Sequence, residues 1–336
     1  MRNVTLLLPL VFVSALHAQT SKSEAVPMNE WNVPWPDTRP RDPYVDGKGR
    51  VWFVGQEGNY IAYLDPQSGK FKRYEIEAGT NPHNLIVDKQ DIVWYTGNRN
   101  GRIGRLDPET GVIKTFIMPD AAARDPHTLI ADSHGIMWFT VQGGNFVGRI
   151  TPTTGKVELI KVTTPGARPY GIAIDSNGRP WLDLFGTNKI AMIDPVSFTL
   201  KEVVLPNANS RPRRIAITSD DRIWYGDYSA NVLGVYDPAT KKVTEFPLPS
   251  GNSSRPYAMA VDDADRIWVV ETGVEPNMMV GFDAKTHKFL SSTPIPSGGG
   301  VVRHMYFHKP TREIWFGSDA GTIGRAKVPP APKPVM

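Results

Sequence analysis

Seven tryptophans recur along the chain at Trp52, Trp94, Trp138, Trp181, Trp224, Trp268 and Trp315, 42 to 47 residues apart. Each closes one phrase: a strand-opening dipeptide, an apolar run, an Asp-rich turn, then the Trp. The phrases open at Pro43-Tyr44, Pro82-His83, Pro126-His127, Pro169-Tyr170, Pro212-Arg213, Pro256-Tyr257 and Arg303-His304. A repeat of roughly 40–50 residues made of short strands cannot bury its apolar faces alone, but copies packed around a ring can. The period therefore predicts an all-β chain folded as a seven-bladed β-propeller.

One repeat shows why each blade should carry four strands. Residues 84–88 are a short apolar run, and residues 92–96 are rich in β-branched and aromatic side chains. Residues 102–106 follow a Gly- and Asn-containing loop. The turn Asp107-Pro108-Glu109-Thr110-Gly111 then leads into residues 112–118. In that turn Pro presets its dihedral, Asp bonds its own backbone and Gly accepts a positive φ. Near copies start at Asp65, Thr151, Asp194, Asp237 and Asp283. The last repeat runs into Pro329-Pro330 without a fourth strand, whereas Asn29-Glu30-Trp31-Asn32-Val33-Pro34 resembles the fourth strand Thr244-Glu245-Phe246-Pro247-Leu248-Pro249. Residues 27–35 are thus expected to complete the last blade and close the ring, which protects two sheet edges.

The domain organisation follows. Arg2, the apolar residues 4–15 and the small residues Ala15 and Ala18 have the layout of a secretory signal over 1–18. Residues 19–39 form an N-terminal segment with the closing strand, 40–327 the propeller and 328–336 a Pro-rich tail. A periplasmic or secreted protein is expected, with no membrane span. The absence of Cys removes disulfides, thiolate catalysis and thiolate metal sites. With 38 basic and 34 acidic residues and no basic run, nucleic acid is not an expected partner, and the ring is expected to be monomeric.

The Trp series reads as packing between blades and the turn Asp residues as turn formers. Two other series vary from blade to blade. The first follows the opening proline: Tyr44, His83, His127, Tyr170, Arg213, Tyr257 and His304. At the start of the innermost strands these would converge on one mouth of the channel, a polar and aromatic rim suited to a small-molecule, peptide or glycan ligand. The second stands three residues after each Trp, where only Asp227 and Glu271 are carboxylates. With His304 and Tyr257 they could serve acid/base chemistry or hold Mg²⁺ or Ca²⁺; otherwise they are loop carboxylates.

The recurring phrase, carried most fully by residues 82–111, 126–155 and 312–325, resembles the streptogramin B lyase (virginiamycin B lyase) family over essentially all of 40–327. That resemblance implies a seven-bladed propeller that opens a cyclic depsipeptide ester by Mg²⁺-assisted elimination. It also implies an acid-x-His triplet in the last repeat, a Glu three residues after the last Trp, and a His opening the inner strand of the repeat before. Here the triplet reads Val302-Arg303-His304, the Glu position is Ser318 and the other His position is Tyr257. A displaced site is the expectation, with Glu271 and Asp227 on the metal and His304, Tyr257 and Glu271 in catalytic roles. The alternatives are a non-catalytic propeller binding a peptide, glycan or protein, or a metal-dependent lactone hydrolase.

Overall fold

Strand pairing in the computed structural model, which describes residues 25–330, gives seven four-stranded antiparallel sheets. Blades 1 to 6 occupy residues 40–75, 82–117, 126–161, 169–204, 212–247 and 256–294, each in simple chain order. The only helical element among the described residues is one 3-10 turn, Gly251–Ser253. No helix among them is long and apolar enough to cross a membrane. The segment read as a secretory signal and the last six residues of the tail lie outside the described residues.

Blade 7 combines residues 302–327 with the strand Met28–Asn32, which pairs antiparallel with Thr322–Lys327 from Met28↔Ala326 to Asn32↔Thr322. Side chains reinforce this junction. Trp31 stacks on Trp315 with ring centroids 5.7 Å apart. The Glu30 carboxylate accepts from Ser297 N (2.7 Å), Ser297 Oγ (2.8 Å) and Thr322 Oγ1 (2.5 Å).

The first strand of every blade lies against the first strands of its neighbours, and blade 7 meets blade 1, so these strands line the axis. Second strands such as Val51–Gly55 and Val93–Gly97 are buried throughout. Outer strands such as Thr199–Val204 alternate exposed and half-buried residues, the period-2 pattern of a sheet with one wet face. Seven apolar clusters fill the spaces between blades, and each holds one Trp of the repeat series. A Trp that buries roughly 200 Å² at about 25 cal/mol per Å² contributes on the order of 5 kcal/mol of transfer free energy, so these clusters dominate the cohesion of the ring.

The Asp-rich turns do more than reverse the chain. In five blades an Asp six residues before the Trp accepts the indole N–H: Asp46 to Trp52 at 2.7 Å, Asp88 to Trp94 at 2.8 Å, and Asp132, Asp175 and Asp262 to theirs at 3.0 Å. The other oxygen of each carboxylate closes the turn, as Asp132 does by accepting from His134 N and Ile136 N. One residue thus sets both the hairpin and the rotamer of the inter-blade Trp. Thr218 Oγ1 replaces the carboxylate for Trp224, and Trp315 Nε1 has no partner among the described residues.

Candidate functional site

Each innermost strand starts with a bulge. Within its first five residues the register against the second strand shifts by one in all seven blades. A bulge bends the strand and re-aims side chains, so two consecutive residues per blade can reach the channel where a regular strand would deliver one. The strand-opening positions are Pro40, Pro82, Pro126, Pro169, Pro212, Pro256 and Val302, opposite Gly55 or its equivalents. The first ring that follows them is Arg41, His83, His127, Tyr170, Arg213, Tyr257 and Arg303. The second ring is Asp42, Asn84, Thr128, Gly171, Arg214, Ala258 and His304.

This register corrects two members of the expected ring. Tyr44 is not in it: Arg41 is. Blade 1 offers two prolines, and Pro40 stands twelve residues before Trp52, as Pro82 does before Trp94, whereas Pro43 stands nine before. Tyr44 instead pairs with Trp52 and stacks on Tyr306 at 4.0 Å, and it lines a separate cleft of about 440 Å³ with Lys89 and His134. His304 belongs to the second ring, and Arg303 takes its place in the first. The hairpin of blade 7 carries one extra residue, with Val302 thirteen before Trp315, so counting back from the Trp slips by one. In the same hairpin His308 stands where the other turns have their Asp, so the Trp315 indole lacks that acceptor.

The remaining predicted rim residues do converge. The imidazoles of His83 and His127 lie 3.6 Å apart, and His127 lies 4.0 Å from the ring of Tyr170. The Tyr170 and Tyr257 hydroxyls share a short hydrogen bond across blade 5. Beside them the Arg213 guanidinium sits 3.7 Å over Tyr257, 4.5 Å over Tyr228 and 4.6 Å over Phe185, an aromatic box filled by the protein's own cation.

Below this layer the second ring forms a polar plug. The fully buried Asp42, held at φ 47° in the left-handed region, accepts from Asn84 Nδ2 at 2.9 Å. It lies 3.6 Å from both Arg41 Nε and Arg214 Nη2. Arg214 also donates to Thr128 Oγ1 (3.2 Å) and to the Arg303 carbonyl (3.0 Å), tying blades 3, 5 and 7 together. Backbone outliers of this kind persist where the surroundings over-determine them and cluster at functional sites.

Protonation follows from burial and from these arginines. Burial pushes the imidazoles of His83 and His127 well below their ordinary range, with Arg41 and Arg214 acting in the same direction, and it takes His304 to about 4 despite Asp42. All three are neutral at pH 7. Burial would raise Tyr170, but Arg213, Arg214 and Arg41 outweigh it and bring the phenol down to about 8. Tyr257 is pushed up to about 12 by burial and by Tyr170. Of the two tyrosines, Tyr170 is therefore the one that gives up its proton more readily.

Asp227 and Glu271 are fully buried beneath the mouth loops. Glu271 accepts from Ser250 N (2.8 Å) and Ser250 Oγ (2.6 Å). Asp227 Oδ1 accepts from the backbone N–H groups of Arg211, Ser229 and Ala230, while its Oδ2 has no partner among the described residues. No group of three or more His, Asp or Glu among the described residues is placed to hold a metal ion. The two carboxylates serve the loops that frame the mouth.

Sequence reasoning did not identify Arg41, Asp42, Asn84, Arg214 and Arg303, and it missed Asp183 as well. Thr96 and Thr140, two residues after their Trp, donate to the His127 carbonyl (3.1 Å) and the Tyr170 carbonyl (2.7 Å) of the next blade. Asp183 holds the same position, fully buried, with both oxygens unpaired among the described residues. Gly171 leaves it room, since a Cβ there would come within 2.6 Å of Asp183 Oδ2. Burial holds the Asp183 carboxyl well above the usual range, with Asp227 adding to the effect against Arg214.

A family model described as the virginiamycin B lyase family matches residues 17–281. The fold superposes on the crystal structure of virginiamycin B lyase from Staphylococcus aureus with a TM-score of 0.81 and 26% identity, covering 90% of this chain and 99% of that one. A catalytically inactive His-to-Ala variant of that lyase with quinupristin matches equally, at TM-score 0.81, 26% identity and the same coverage. The extracellular domain of a putative hybrid two-component system from B. thetaiotaomicron matches with a TM-score of 0.71 at 15% identity, over 92% of this chain and 44% of that one, a likeness of fold alone. No curated protein matches the sequence.

Proposed function

The chain belongs to the virginiamycin B lyase family, and from that premise we propose that it binds a small or medium-sized ligand at the channel mouth ringed by Arg41, Tyr170, Arg213, Tyr257 and Arg303. The observation that carries this reading is the delivery of two consecutive polar rings into one channel by seven matched bulges. Packing alone does not require arginines and imidazoles there, and buried polar groups left unpaired cost stability. The pattern of residues 1–18 supports action in the periplasm or outside the cell.

Mg²⁺ does not fit these residues. Glu271 spends both oxygens on Ser250, and Asp227 spends one on three loop N–H groups. Of the residues that the resemblance implies, His304 alone is kept, and it stands one position beyond the ring that holds Tyr257. We therefore read the chain as a binding member of its family. The surroundings of Tyr170 favour a second, enzymatic reading. Its ring lies 5.3 Å from the Arg213 guanidinium and 5.2 Å from that of Arg214, so its phenol, with its proton affinity lowered by these cations, could take a proton α to a carbonyl while the guanidinium groups hold the developing negative charge.

Incubation of the mature chain with quinupristin, with Mg²⁺ or with chelator, separates the two readings. The expected result is intact antibiotic beside a working lyase control, with calorimetric binding weakened about tenfold in Arg213→Gln. A linear product of unchanged mass, formed in chelator and lost in Tyr170→Phe, would replace the first reading by the second. Binding unchanged in Arg213→Gln, Arg303→Gln and Tyr257→Phe would place the ligand elsewhere.

A further inference from the structure

We infer that this mouth selects a ligand carrying an oxyanion, a carboxylate or phosphate head, which is received by Arg213 and Arg41 of the first ring and by Arg214 of the second. The inference rests on the mouth being the binding site and adds the ligand's chemistry.

The two rings carry Arg41, Arg213, Arg214 and Arg303 against one carboxylate, Asp42. Arg303 is matched by Asp319 at 2.6 Å. Asp42 is left to face Arg41 and Arg214 together, 3.6 Å from each, and Arg213 lies against four aromatic rings. Other acids nearby do not restore the balance. Burial disfavours the charged form of Asp183, and Asp227 is engaged by loop N–H groups.

Hydrogen bonding gives the same answer independently. Arg41 is 5% exposed and Arg214 3%, yet Arg41 Nε, Arg41 Nη2 and Arg214 Nη2 have no hydrogen-bond partner among the described residues, nor does Arg213 Nε at the mouth. Buried guanidinium donors in surplus require acceptors, and an anionic acceptor answers both the hydrogen bonds and the charge. The planar fork of guanidinium suits carboxylate and phosphate oxygens in particular. The lowered proton affinity of Tyr170 is the same field acting on a phenol. Outside the channel, the residue before the opening proline is Arg168, Arg211 or Arg255 in three blades, and Arg39, paired with Glu57 at 2.9 Å, in a fourth, a basic collar that draws anions inward. His83, His127 and His304, all neutral at pH 7, neither compete for the anion nor repel it.

The aromatic box around Arg213 makes the opposite preference the natural rival, because Tyr170, Phe185, Tyr228 and Tyr257 would equally accept a quaternary ammonium if Arg213 swung out. The test titrates the mature protein, dialysed to low salt, with inorganic phosphate, acetate and choline, by calorimetry and by thermal melting. Saturable binding of phosphate or acetate is expected, with no response to choline. Affinity should fall at least about tenfold in Arg41→Gln and in Arg213→Gln, and should be unchanged in Arg149→Gln on the third strand of blade 3. Phosphate tighter than acetate points to phosphoryl ligands, the reverse to carboxylates, and either supports the inference. Arg213→Gln, at the half-buried mouth, keeps the test decisive if Arg41→Gln fails to fold. Binding of choline without phosphate or acetate overturns the inference. If neither anion binds while quinupristin still binds in an Arg213-dependent way, the oxyanion inference falls and the mouth remains the site. Anion affinity that is equal in Arg213→Gln and the wild type removes the anion from this mouth.

Discussion

At the scale of single residues, the informative position is the one two places after each Trp. Thr96 and Thr140 there join neighbouring blades through a hydroxyl that donates to a carbonyl and accepts from a backbone N–H, as Thr96 Oγ1 does from Asn84 N at 3.1 Å. Asp183 can imitate this only while protonated. Because the fold raises its pKa, its stabilising contribution is complete below the pKa of an unfolded Asp, about 3.9. It is lost as pH rises from there through the folded value. Above the unfolded pKa the unfolded chain ionises at this residue more readily than the fold does, so the wild type is penalised as pH rises. Asp183→Thr should therefore raise the melting temperature at pH 7 and do so less near pH 4, as calorimetry at the two pH values would show. Equal destabilisation at both would mean that Asp183 has another role. A charge difference of this kind is invisible in the sequence, where Asp183 looks like any strand residue beside a Trp.

At the scale of strands and turns, the link between turn Asp and Trp couples hairpin geometry to inter-blade packing. Asp132→Ala leaves the Trp138 indole N–H buried without a partner and releases two turn N–H groups, at a cost of about 1–3 kcal/mol. Asp132→Asn keeps one acceptor oxygen, enough for the turn N–H groups or for the indole but not for both, and should cost less than Asp132→Ala; melting temperatures of the two variants rank them. This link was readable, since an Asp stands six residues before the Trp in five repeats. Blade number, strand number and the closing strand were readable too, because apolar period and turn residues are local signals. The bulges were not. A bulge changes which residues face the channel without changing composition, so the second ring with Arg214 was not foreseen, while Tyr44 and His304 were assigned to the first ring because blade 1 offers two prolines and the blade 7 hairpin carries an extra residue. The partners of Asp42 come from blades 1, 2 and 5 and leave no local trace in the chain.

At the scale of the whole molecule, the ring is as strong as its junction between Met28–Asn32 and Thr322–Lys327. A chain beginning at residue 34 loses five paired residues, the Trp31–Trp315 stack and the three hydrogen bonds of Glu30. It exposes the edge 322–327, and open edges invite pairing with other copies. The expected outcome is a lower, broader melting transition together with oligomers on light scattering; an unchanged monomer with unchanged melting would show that six and three-quarter blades suffice. The junction also orders events in time. The strand that seals the last blade is the first of the described strands to be synthesised, and its partner is the last. Until the final residues appear, Met28–Asn32 has nothing to pair with, and the growing arc carries two raw ends. Closure is then the most sequence-distant contact in the molecule, the kind that slows folding. A nascent chain of this protein therefore needs protection until the strand Thr322–Lys327 has been made.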